Sequence, residues 1–379
     1  MKVCIDIQAA KAQRAGVGRY TRSLVRHLPE LKHDDEITLF SFDFLRAGLP
    51  IDAPGTIQKT SRICPGRFVS GLWKTINFPP FDWFSGKADI FHFPNFVIPP
   101  LNTGKTVVTI HDASFVRYPE FAERKNLRHL NAVMRNTVRR ADAIITDSHF
   151  SATEIEETLS VDTSRISPIH LGIDDCFSLN VGTDSHLAQK HTRESIVRSL
   201  GIDRPFIFTV GTIEPRKNTS FLVDVFERME DFDGHLVVAG MKGWKFQSFF
   251  KKMQESKSNA EIIYLDYVTD DQLFALYTEA SLFVFPSHYE GFGFPPLEAM
   301  ACGTPVLSSN GGSLPEVLGD AAFILPATDP EEWAEQSIIL MQDTDLRNEL
   351  INSGKEKASS YKWADTAAQT WDVYRKVLA

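Results

Sequence analysis

Short apolar runs alternate with helical segments along the chain, and the alternation starts again after residue 200. Apolar runs of this kind are typical of buried parallel strands, with helices packed on both faces of the sheet. The pattern therefore predicts an α/β fold with two doubly wound, Rossmann-like sheets, one after the other. The predicted strands of the first sheet are Val3 to Ile7, Ile37 to Phe42, Ile90 to Phe93, Thr106 to Ile110 and Ala143 to Thr146, and those of the second are Phe206 to Val210, His235 to Ala239, Ile262 to Leu265, Leu282 to Phe285 and Val306 to Ser308.

The length of 379 residues suits two domains rather than one. We predict an N-terminal domain at residues 1–180 and a C-terminal domain at residues 201–363. Residues 181–200 are predicted as a linker, because this segment is polar and lacks a clean apolar period. In open α/β sheets, ligands bind beyond the carboxyl ends of the strands, so two domains facing each other would place one cleft between them.

The stretch from Glu290 to Glu298 is the most informative motif, with the sequence Glu-Gly-Phe-Gly-Phe-Pro-Pro-Leu-Glu. It follows a predicted strand and opens a predicted helix that Gly303 closes. Two glycines at such a junction let the backbone approach a ligand closely and present N–H groups to it. A ligand with anionic phosphates and several hydroxyls suits this arrangement, because amides bind the anion and carboxylates bind the hydroxyls.

The spacing Glu-x7-Glu resembles the signature of retaining GT-B glycosyltransferases, especially family four of the nucleotide-sugar-dependent enzymes. Other segments resemble further motifs of this family, in the family's order and in both halves of the chain. They are Gly16 to Tyr20, Ile110 to Asp112, Gly211 to Asn218, Ser308 to Glu316 and Tyr361 to Trp363. A lone Glu-x7-Glu would be weak evidence, whereas several motifs in register are strong. The whole set resembles bacterial mannosyltransferases of surface-polysaccharide assembly.

The resemblance implies the GT-B architecture, in which two Rossmann-like domains face each other across a cleft. It also implies that the C-terminal helix, residues 364–379, packs back on the first domain. The implied reaction transfers a hexose from a nucleotide sugar with retention at the anomeric carbon. Such enzymes commonly use front-face attack, in which the departing phosphate takes the acceptor's proton.

Arg216 and Lys217 are candidate catalytic residues. A leaving nucleoside diphosphate builds up negative charge, and fixed cations stabilise that charge more than they stabilise the ground state. The alternative is an exposed basic pair at a helix start, a position that the helix dipole disfavours for cations. By family position, Glu298 would bind the ribose hydroxyls and Glu290 would lie near the donor sugar. Glu298 alone would also suit a helix N-terminus, and for Glu290 we prefer orientation and electrostatic support to a nucleophilic role.

The remaining candidates lie in loops and at a strand end. Gly291, Phe292 and Gly293 would offer backbone amides to the sugar and diphosphate, although a tight turn alone also needs glycine. Gly16 and Gly18 could present amides to the diphosphate from the other domain, or simply form a strand-to-helix turn. His111 matches a family histidine near the reacting carbon and is a further catalytic candidate. The alternative for His111 is a buried, satisfied core histidine, and Asp112 suits an acceptor contact and a turn equally.

We find no group of His, Cys, Asp or Glu residues with metal-ligand spacing in the sequence. The resembling family is generally metal-independent, with cationic side chains and helix ends replacing the ion. We therefore expect no metal and no resident cofactor, since the nucleotide sugar is a substrate.

The composition of the chain indicates where the protein works and which partners it has. No apolar run approaches the roughly 20 residues of a membrane helix, and the N-terminus shows no signal peptide. The four cysteines, Cys4, Cys64, Cys176 and Cys302, are scattered, which indicates reduced thiols in a cytoplasmic protein. Residues 1–150 hold 21 Lys and Arg against 14 Asp and Glu, and the remainder holds 19 against 35. The acidic second half argues against nucleic acid as a partner.

Basic and aromatic residues are interleaved between Arg62 and Phe84. Together with the basic first half, this suits peripheral contact with an anionic membrane or an acceptor groove that stacks sugars. The interpretation we favour for this stretch alone is a partly buried cover of the sheet, because no clear amphipathic moment is visible.

The sequence thus predicts a transferase with a nucleotide-sugar donor, GDP-mannose as the first choice, and a saccharide or lipid-linked saccharide acceptor. One alternative on the same fold is use of another donor, of the UDP-glucose type. Others are a nucleotide-sugar epimerase, a glycoside phosphorylase, for which no cofactor-lysine site is seen, and a non-catalytic nucleotide-sugar-binding protein.

Overall fold

The structure is a computed structural model that describes residues 1–13, 16–46, 48–63, 65–121, 124–177 and 186–379. It consists of two compact units, each built on its own sheet. The first unit comprises Met1–Gly172 together with Lys362–Ala379, and the second comprises Ile173–Tyr361. The division thus falls at Gly172, ahead of the boundary predicted at residue 180.

The first unit holds a parallel sheet with helices between its strands. Its strands are β1 (Lys2–Asp6), β2 (Glu36–Phe42), β3 (Ile57–Ser61), β4 (Ile90–Phe93), β5 (Lys105–Thr109), β6 (Ala143–Thr146) and β7 (Ile166–Pro168). Its helices are α1 (Gln8–Ala12), α2 (Val17–His27), α3 (Gly66–Ile76), α4 (Asp82–Ser85), α5 (Ser114–Arg117), α6 (Arg124–Arg140) and α7 (His149–Leu159), with 3-10 turns at Leu28–Leu31, Pro119–Phe121 and Thr163–Arg165. The strand order is β3-β2-β1-β4-β5-β6-β7, so the winding reverses between β1 and β4.

The second unit repeats this plan. Its strands are β8 (Phe206–Val210), β9 (His235–Ala239), β10 (Ile262–Leu265), β11 (Leu282–Phe285), β12 (Val306–Ser309) and β13 (Phe323–Leu325). Its helices are α8 (His186–Ser199), α9 (Thr219–Phe226), α10 (Gln247–Glu255), α11 (Asp270–Glu279), α12 (Phe294–Ala301), α13 (Leu314–Leu318), α14 (Pro330–Gln342) and α15 (Thr344–Ser359), with 3-10 turns at Asp175–Phe177, Pro215–Lys217, Asn259–Glu261 and Gly319–Ala321. The parallel order β10-β9-β8-β11-β12-β13 reverses between β8 and β11.

The strands predicted from apolar runs are confirmed in both units, to within one residue at either end. Central strands such as β4, β6 and β11 are buried at every position, which is why their sequences are continuously apolar. The strands that the sequence did not indicate are β3, β7 and β13, and each lies at an edge of its sheet. An edge strand such as β3, with the sequence Ile-Gln-Lys-Thr-Ser and mostly exposed residues, lacks that signal.

The C-terminal helix α16 (Trp363–Leu378) belongs to the first unit. Its Trp371 indole donates a hydrogen bond to the Leu28 carbonyl at 2.9 Å, and its Thr366 hydroxyl donates to the His170 carbonyl at 2.8 Å. A Cβ on Gly172 would lie 2.1 Å from the backbone nitrogen of Trp363, so the chain needs glycine where α16 begins.

The predicted linker, residues 181–200, differs from the structure. Residues 178–185 lie outside the described part of the chain, and the rest of the segment is mostly the helix α8. This helix packs on α11 of the second unit, with an ion pair of 3.1 Å between Arg193 and Glu279. Among residues 192–199, the part of α8 whose side chains the structure describes, Val197 is buried.

Candidate active site

The predicted site residues fall into two groups, one in each unit, and both groups follow the carboxyl ends of sheet strands. In the second unit they follow β8 and β11, the paired strands where the winding reverses. In open α/β sheets a crevice forms at such a switch point, because the connections leave in opposite directions. The position therefore fits a ligand site before any side chain is considered.

Arg216 and Lys217 lie in the 3-10 turn between β8 and α9. Gly211 begins this connection with φ of 156°, and a Cβ on the neighbouring Gly240 would lie 2.0 Å from the Gly211 carbonyl oxygen. Asn218 ends the turn in the left-handed region, with φ of 52°. The tight backbone presents both cations where the turn meets the loop after β11, since the His288 amide donates to the Arg216 carbonyl at 2.8 Å.

Both cations bind Glu290. The Lys217 ammonium lies 2.6 Å from one carboxylate oxygen of Glu290, and an Arg216 nitrogen lies 2.9 Å from the other. Arg216 also pairs with Glu214 at 3.0 Å and donates to the Tyr289 carbonyl at 2.7 Å. Two cations and two carboxylates therefore form one buried, hydrogen-bonded network.

The network sets the charge of its members. Burial alone would raise the pKa of Glu290, but the Arg216 and Lys217 charges lower it to about 2. Burial lowers the pKa of Lys217, and Glu290 opposes this effect. Glu290 is therefore a carboxylate at neutral pH and has no proton to give. Because both of its oxygens are held by cations, its geometry suits orienting Arg216 and Lys217. The expected place of Glu290 near the donor sugar stays a prediction.

The loop that carries Glu290 is fixed by the turn after β12. The Ser313 amide donates to the Glu290 carbonyl at 2.9 Å, and the Ser313 hydroxyl donates to the Phe292 carbonyl at 3.1 Å. A Cβ on Gly312, where φ is 67°, would lie 2.3 Å from the Glu290 carbonyl oxygen. The sequence resemblance marked this turn but not its role as a support for Glu290.

The first turn of α12 has few backbone N–H groups to offer a ligand. Gly293, with φ of 107°, precedes α12, but Pro295 and Pro296 occupy its first turn and have no N–H to donate. Any amides offered to a phosphate must come chiefly from the loop. The Phe292 ring is buried against Phe294 and Tyr361, so only its backbone suits the predicted role.

Glu298 lies on α12 and is only 2 % exposed. The Tyr277 hydroxyl donates to one of its carboxylate oxygens at 2.8 Å. A structural partner therefore already holds the group that was predicted to bind ribose. The ribose role stays a prediction, and Tyr277 is a residue that the sequence interpretation missed.

In the first unit, His111 follows β5 and pairs with Asp147, which follows the neighbouring strand β6. Its Nδ1 lies 2.7 Å from an Asp147 carboxylate oxygen, and its Nε2 lies 3.1 Å from the Pro94 carbonyl oxygen. In the sequence, Asp147-Ser148 stands directly before a helical segment, and both residue types suit a helix cap. The structure confirms Ser148 as the cap of α7, since its hydroxyl accepts from the Ser151 amide, whereas Asp147 binds His111.

A buried hydrogen-bond chain lies beside His111. Tyr20 bonds Thr109 at 3.0 Å, Thr109 bonds His92 at 2.8 Å, and His92 bonds Tyr374 of α16 at 2.6 Å. Burial lowers the pKa of His92 to about 3, so this histidine is neutral and structural. The Tyr20 and His111 rings form a T-shaped pair, with 4.8 Å between their centroids. This hydrogen-bond chain thus holds in place the Tyr20 ring against which His111 packs.

Gly16 and Gly18 both have structural reasons to be glycine. Gly16 precedes α2 with φ of 56°, and a Cβ on Gly18 would lie 2.1 Å from the Gln13 carbonyl oxygen. Asp112 accepts a hydrogen bond from the Ser114 amide at 2.9 Å, which fits the turn interpretation. The diphosphate contacts of the two glycines stay predictions.

Two family models match the chain, one in each half. The model described as Glycosyltransferase Family 4 matches residues 14–176, and the model described as Glycosyl transferases group 1 matches residues 192–357. Together they cover every predicted site residue, from Gly16 to Glu298.

Similar proteins and structures agree with this result. The chain is 28 % identical to O-antigen chain mannosyltransferase B of Escherichia coli, over 99 % of this chain and 100 % of the relative. Sucrose-phosphate synthase from Thermosynechococcus elongatus superposes with a TM-score of 0.76 at 18 % identity, covering 100 % of this chain and 99 % of that one. Anabaena HepE, solved in complex with UDP-glucose, superposes with a TM-score of 0.70 at 16 % identity, over 98 % and 99 % of the two chains.

Proposed function

The chain belongs to the group 1 glycosyltransferases of glycosyltransferase family 4, with the GT-B fold, and from this premise we propose that it transfers a hexose, with retention, from a nucleotide sugar to a saccharide or lipid-linked saccharide. Our proposed donor is GDP-mannose. Family membership establishes that the protein is a glycosyltransferase. The donor, the acceptor and the retention of configuration are our proposals.

The observation that carries the proposal is the pair of cations at the switch point of the second sheet. Arg216 and Lys217 are held by the buried Glu290, and their own side chains are mostly buried, so charges there act more strongly than in water. Preorganised cations of this kind stabilise charge that develops in a transition state without reorganising when it forms. A departing nucleoside diphosphate develops such charge.

The proposed reaction needs no proton from the protein. The acceptor hydroxyl oxygen bonds the anomeric carbon while the bond from that carbon to the β-phosphate oxygen breaks. The acceptor's proton passes to the departing phosphate, whose charge Arg216 and Lys217 stabilise. Glu290, held as a carboxylate, positions both cations, and we propose that Glu298 binds the ribose.

The identity of the donor is supported by one relative of full length. The O-antigen chain mannosyltransferase from Escherichia coli aligns over 99 % of this chain and 100 % of its own length, and its name states mannose transfer. The rival donor class is the UDP-glucose type, which the structure of Anabaena HepE contains on a similar fold. A fold shared by enzymes with different donors does not select between them.

A thermal-shift screen of GDP-mannose, UDP-glucose, ADP-glucose and a dTDP-sugar tests the donor. A ligand at 100 times its Kd stabilises the protein that binds it by about 2.7 kcal/mol. We expect the largest shift with GDP-mannose, followed by mannose transfer with the α-anomer retained, as NMR of the product would show. A larger shift and faster transfer with UDP-glucose would establish the rival donor instead.

We also expect activity to survive excess EDTA, because Arg216 and Lys217 supply the charge that a metal ion would otherwise bring to the diphosphate. The measurement is the initial rate before and after chelation, with a gel-filtration step to remove the chelated ion. Loss of activity that Mg²⁺ or Mn²⁺ restores would contradict a metal-independent reaction.

The stretch from Arg62 to Phe84 combines a buried side and an exposed side. Phe81 is buried in the core of the first unit, and the Trp73 indole donates to the Pro79 carbonyl at 2.7 Å. Phe68 and Trp83, in contrast, are 61 % and 63 % exposed. Among the described residues, no helix has the length and apolar character needed to cross a bilayer. From the exposure of Phe68 and Trp83 we propose that this side of the stretch contacts an anionic membrane surface.

We expect weak, salt-sensitive binding to anionic vesicles and none to neutral ones. Each basic residue near anionic lipid contributes about 1 kcal/mol, and salt screens the attraction. Changing Arg62, Arg67 and Lys74 to Ser should diminish the binding in cosedimentation; the side chains of Arg67 and Lys74 lie outside the described part of the structure. A control with exposed Arg198, Lys251 and Lys257 of the second unit changed to Ser should bind as the wild type. Equal binding to both vesicles, or none at low salt, would leave the stretch as a cover of the sheet.

A further inference from the structure

Both imidazole nitrogens of His111 face hydrogen-bond acceptors. Nδ1 lies 2.7 Å from the Asp147 carboxylate, and Nε2 lies 3.1 Å from the Pro94 carbonyl oxygen. A neutral imidazole carries one N–H and can satisfy only one of these acceptors as a donor, whereas the imidazolium satisfies both. The geometry therefore fits a protonated His111.

The surroundings of His111 agree with that charge. Asp147 from β6 and Asp112 beside His111 are the nearby acids, and His92, Tyr20 and His170 are the nearby groups from other elements. Burial would lower the pKa of His111, but the Asp147 carboxylate, with Pro94 and Asp112, raises it above its ordinary value. Burial raises the pKa of Tyr20 and lowers that of His92, so both stay neutral.

One carboxylate oxygen of Asp147, Oδ1, is buried without a hydrogen-bond partner in the described part of the structure. Asp147 as a whole is 4 % exposed. A carboxylate that only stabilised the fold would be expected to use both oxygens, since an unsatisfied buried oxygen is costly. His111 is the one ion-pair partner of Asp147 among the described residues.

We infer that Asp147 is a positioning residue, which holds His111 as an imidazolium in one ring orientation, so that His111 acts as a fixed donor and positive charge and not as a general base. The inference rests on the proposed function, in which His111 lies beside the reacting sugar. By leaving the Pro94 carbonyl, the Nε2–H group can donate to a sugar hydroxyl while Asp147 keeps the ring in place. An imidazolium cannot take the acceptor's proton, so that proton goes to the departing phosphate.

The protonation state can be measured without any assay of transfer. NMR of the ¹⁵N-histidine-labelled protein, with His111→Gln to assign the signal among the 11 histidines, gives the pKa of His111. We expect a value above 6.5 in the wild type and a value lower by about one pH unit or more in Asp147→Asn, which keeps an acceptor but loses the charge. Asp147→Glu should restore the high value. Glu157→Gln, which removes an exposed acid from α7, should leave it unchanged.

The pH dependence of kcat/KM then tests the role. For a protonated donor, activity falls as pH rises through the pKa of His111, and in Asp147→Asn this alkaline limb should move to lower pH while the low-pH rate is retained. A fall at acid pH that tracks the His111 titration would identify a general base and overturn the inference. An unchanged His111 pKa in Asp147→Asn would also overturn it. If no nucleotide sugar supports transfer, the proposed function fails, whereas the NMR result still decides the charge of His111.

Discussion

Replacing both Arg216 and Lys217 with Ala is expected to lower kcat by about 10³-fold or more, with a smaller rise in the KM of the donor. Loss of one preorganised donor to a developing negative charge typically costs about 10²–10³ in kcat, and this variant loses two groups. Because their partner is a charge that grows on the departing diphosphate, the loss belongs to the transition state more than to binding. Steady-state kinetics with varied donor separates the two.

The control for this experiment follows from the network. The double variant leaves Glu290 buried without its cations, and breaking a buried pair typically destabilises a protein by about 3–5 kcal/mol. The double variant also leaves buried Glu214 without Arg216. Adding Glu290→Gln removes one of the two stranded carboxylates, so the triple variant should recover part of the thermal stability but not kcat. Arg204→Ala, which removes an exposed cation paired with Asp233, should leave kcat unchanged. A raised KM with wild-type kcat would make Arg216 and Lys217 ground-state anchors.

The pKa of Glu290 predicts the pH range in which its titration can affect stability or activity. Its folded pKa of about 2 lies below the ordinary value of 4.5, so the stability from its ion pairs is fully present above pH 4.5 and is lost as pH falls toward 2. Glu290 thus contributes no titration near neutral pH. The alkaline limb assigned to His111 is therefore not confused with a change at Glu290.

The sequence predicts the fold best at strands that are buried on both faces of the sheet. Strands such as β4 and β11 have no solvent face, so their sequences carry an uninterrupted apolar signal. Edge strands carry a weaker apolar signal, and α8 was predicted as part of a linker because its sequence is polar and lacks a clean apolar period. The sequence also could not give the boundary at Gly172, which depends on the packing of α16 against the first sheet.

The site was predictable as a set of motifs but not as a set of contacts. Arg216, Lys217 and Glu290 were each selected, yet their pairing needs the adjacency of β8 and β11, residues about 70 positions apart in sequence. Asp147 is 36 residues from His111 and looks like part of a helix cap until β5 and β6 are placed side by side. Ser313 donates to the Glu290 carbonyl and Tyr277 donates to the Glu298 carboxylate, and only the fold brings these groups together. Residue types thus indicated the chemistry, and strand order decided the partners.

Glu298→Ala is expected to weaken binding of the nucleoside diphosphate by about 1.5–3 kcal/mol for each charge-assisted hydrogen bond lost, or roughly 10- to 150-fold in Kd. The physical reason is that a carboxylate can accept from both the 2′ and the 3′ hydroxyl of ribose. Isothermal titration calorimetry on the folded variant measures the change, with the diphosphate that the thermal-shift screen selects.

The buried position of Glu298 and its bond from Tyr277 make a purely structural role the competing explanation, and two controls separate them. Tyr277→Phe keeps the carboxylate but removes its hydrogen bond from Tyr277, so it should lower the melting temperature while leaving Kd nearly unchanged. The second control uses a 2′,3′-dideoxynucleoside diphosphate, which lacks the hydroxyls. If Glu298 binds them, the wild type discriminates between the two ligands and Glu298→Ala does not, because the interaction that distinguishes the ligands is already gone. Undiminished discrimination in Glu298→Ala would assign the ribose to another residue and leave Glu298 as the partner that secures Tyr277 beneath α12.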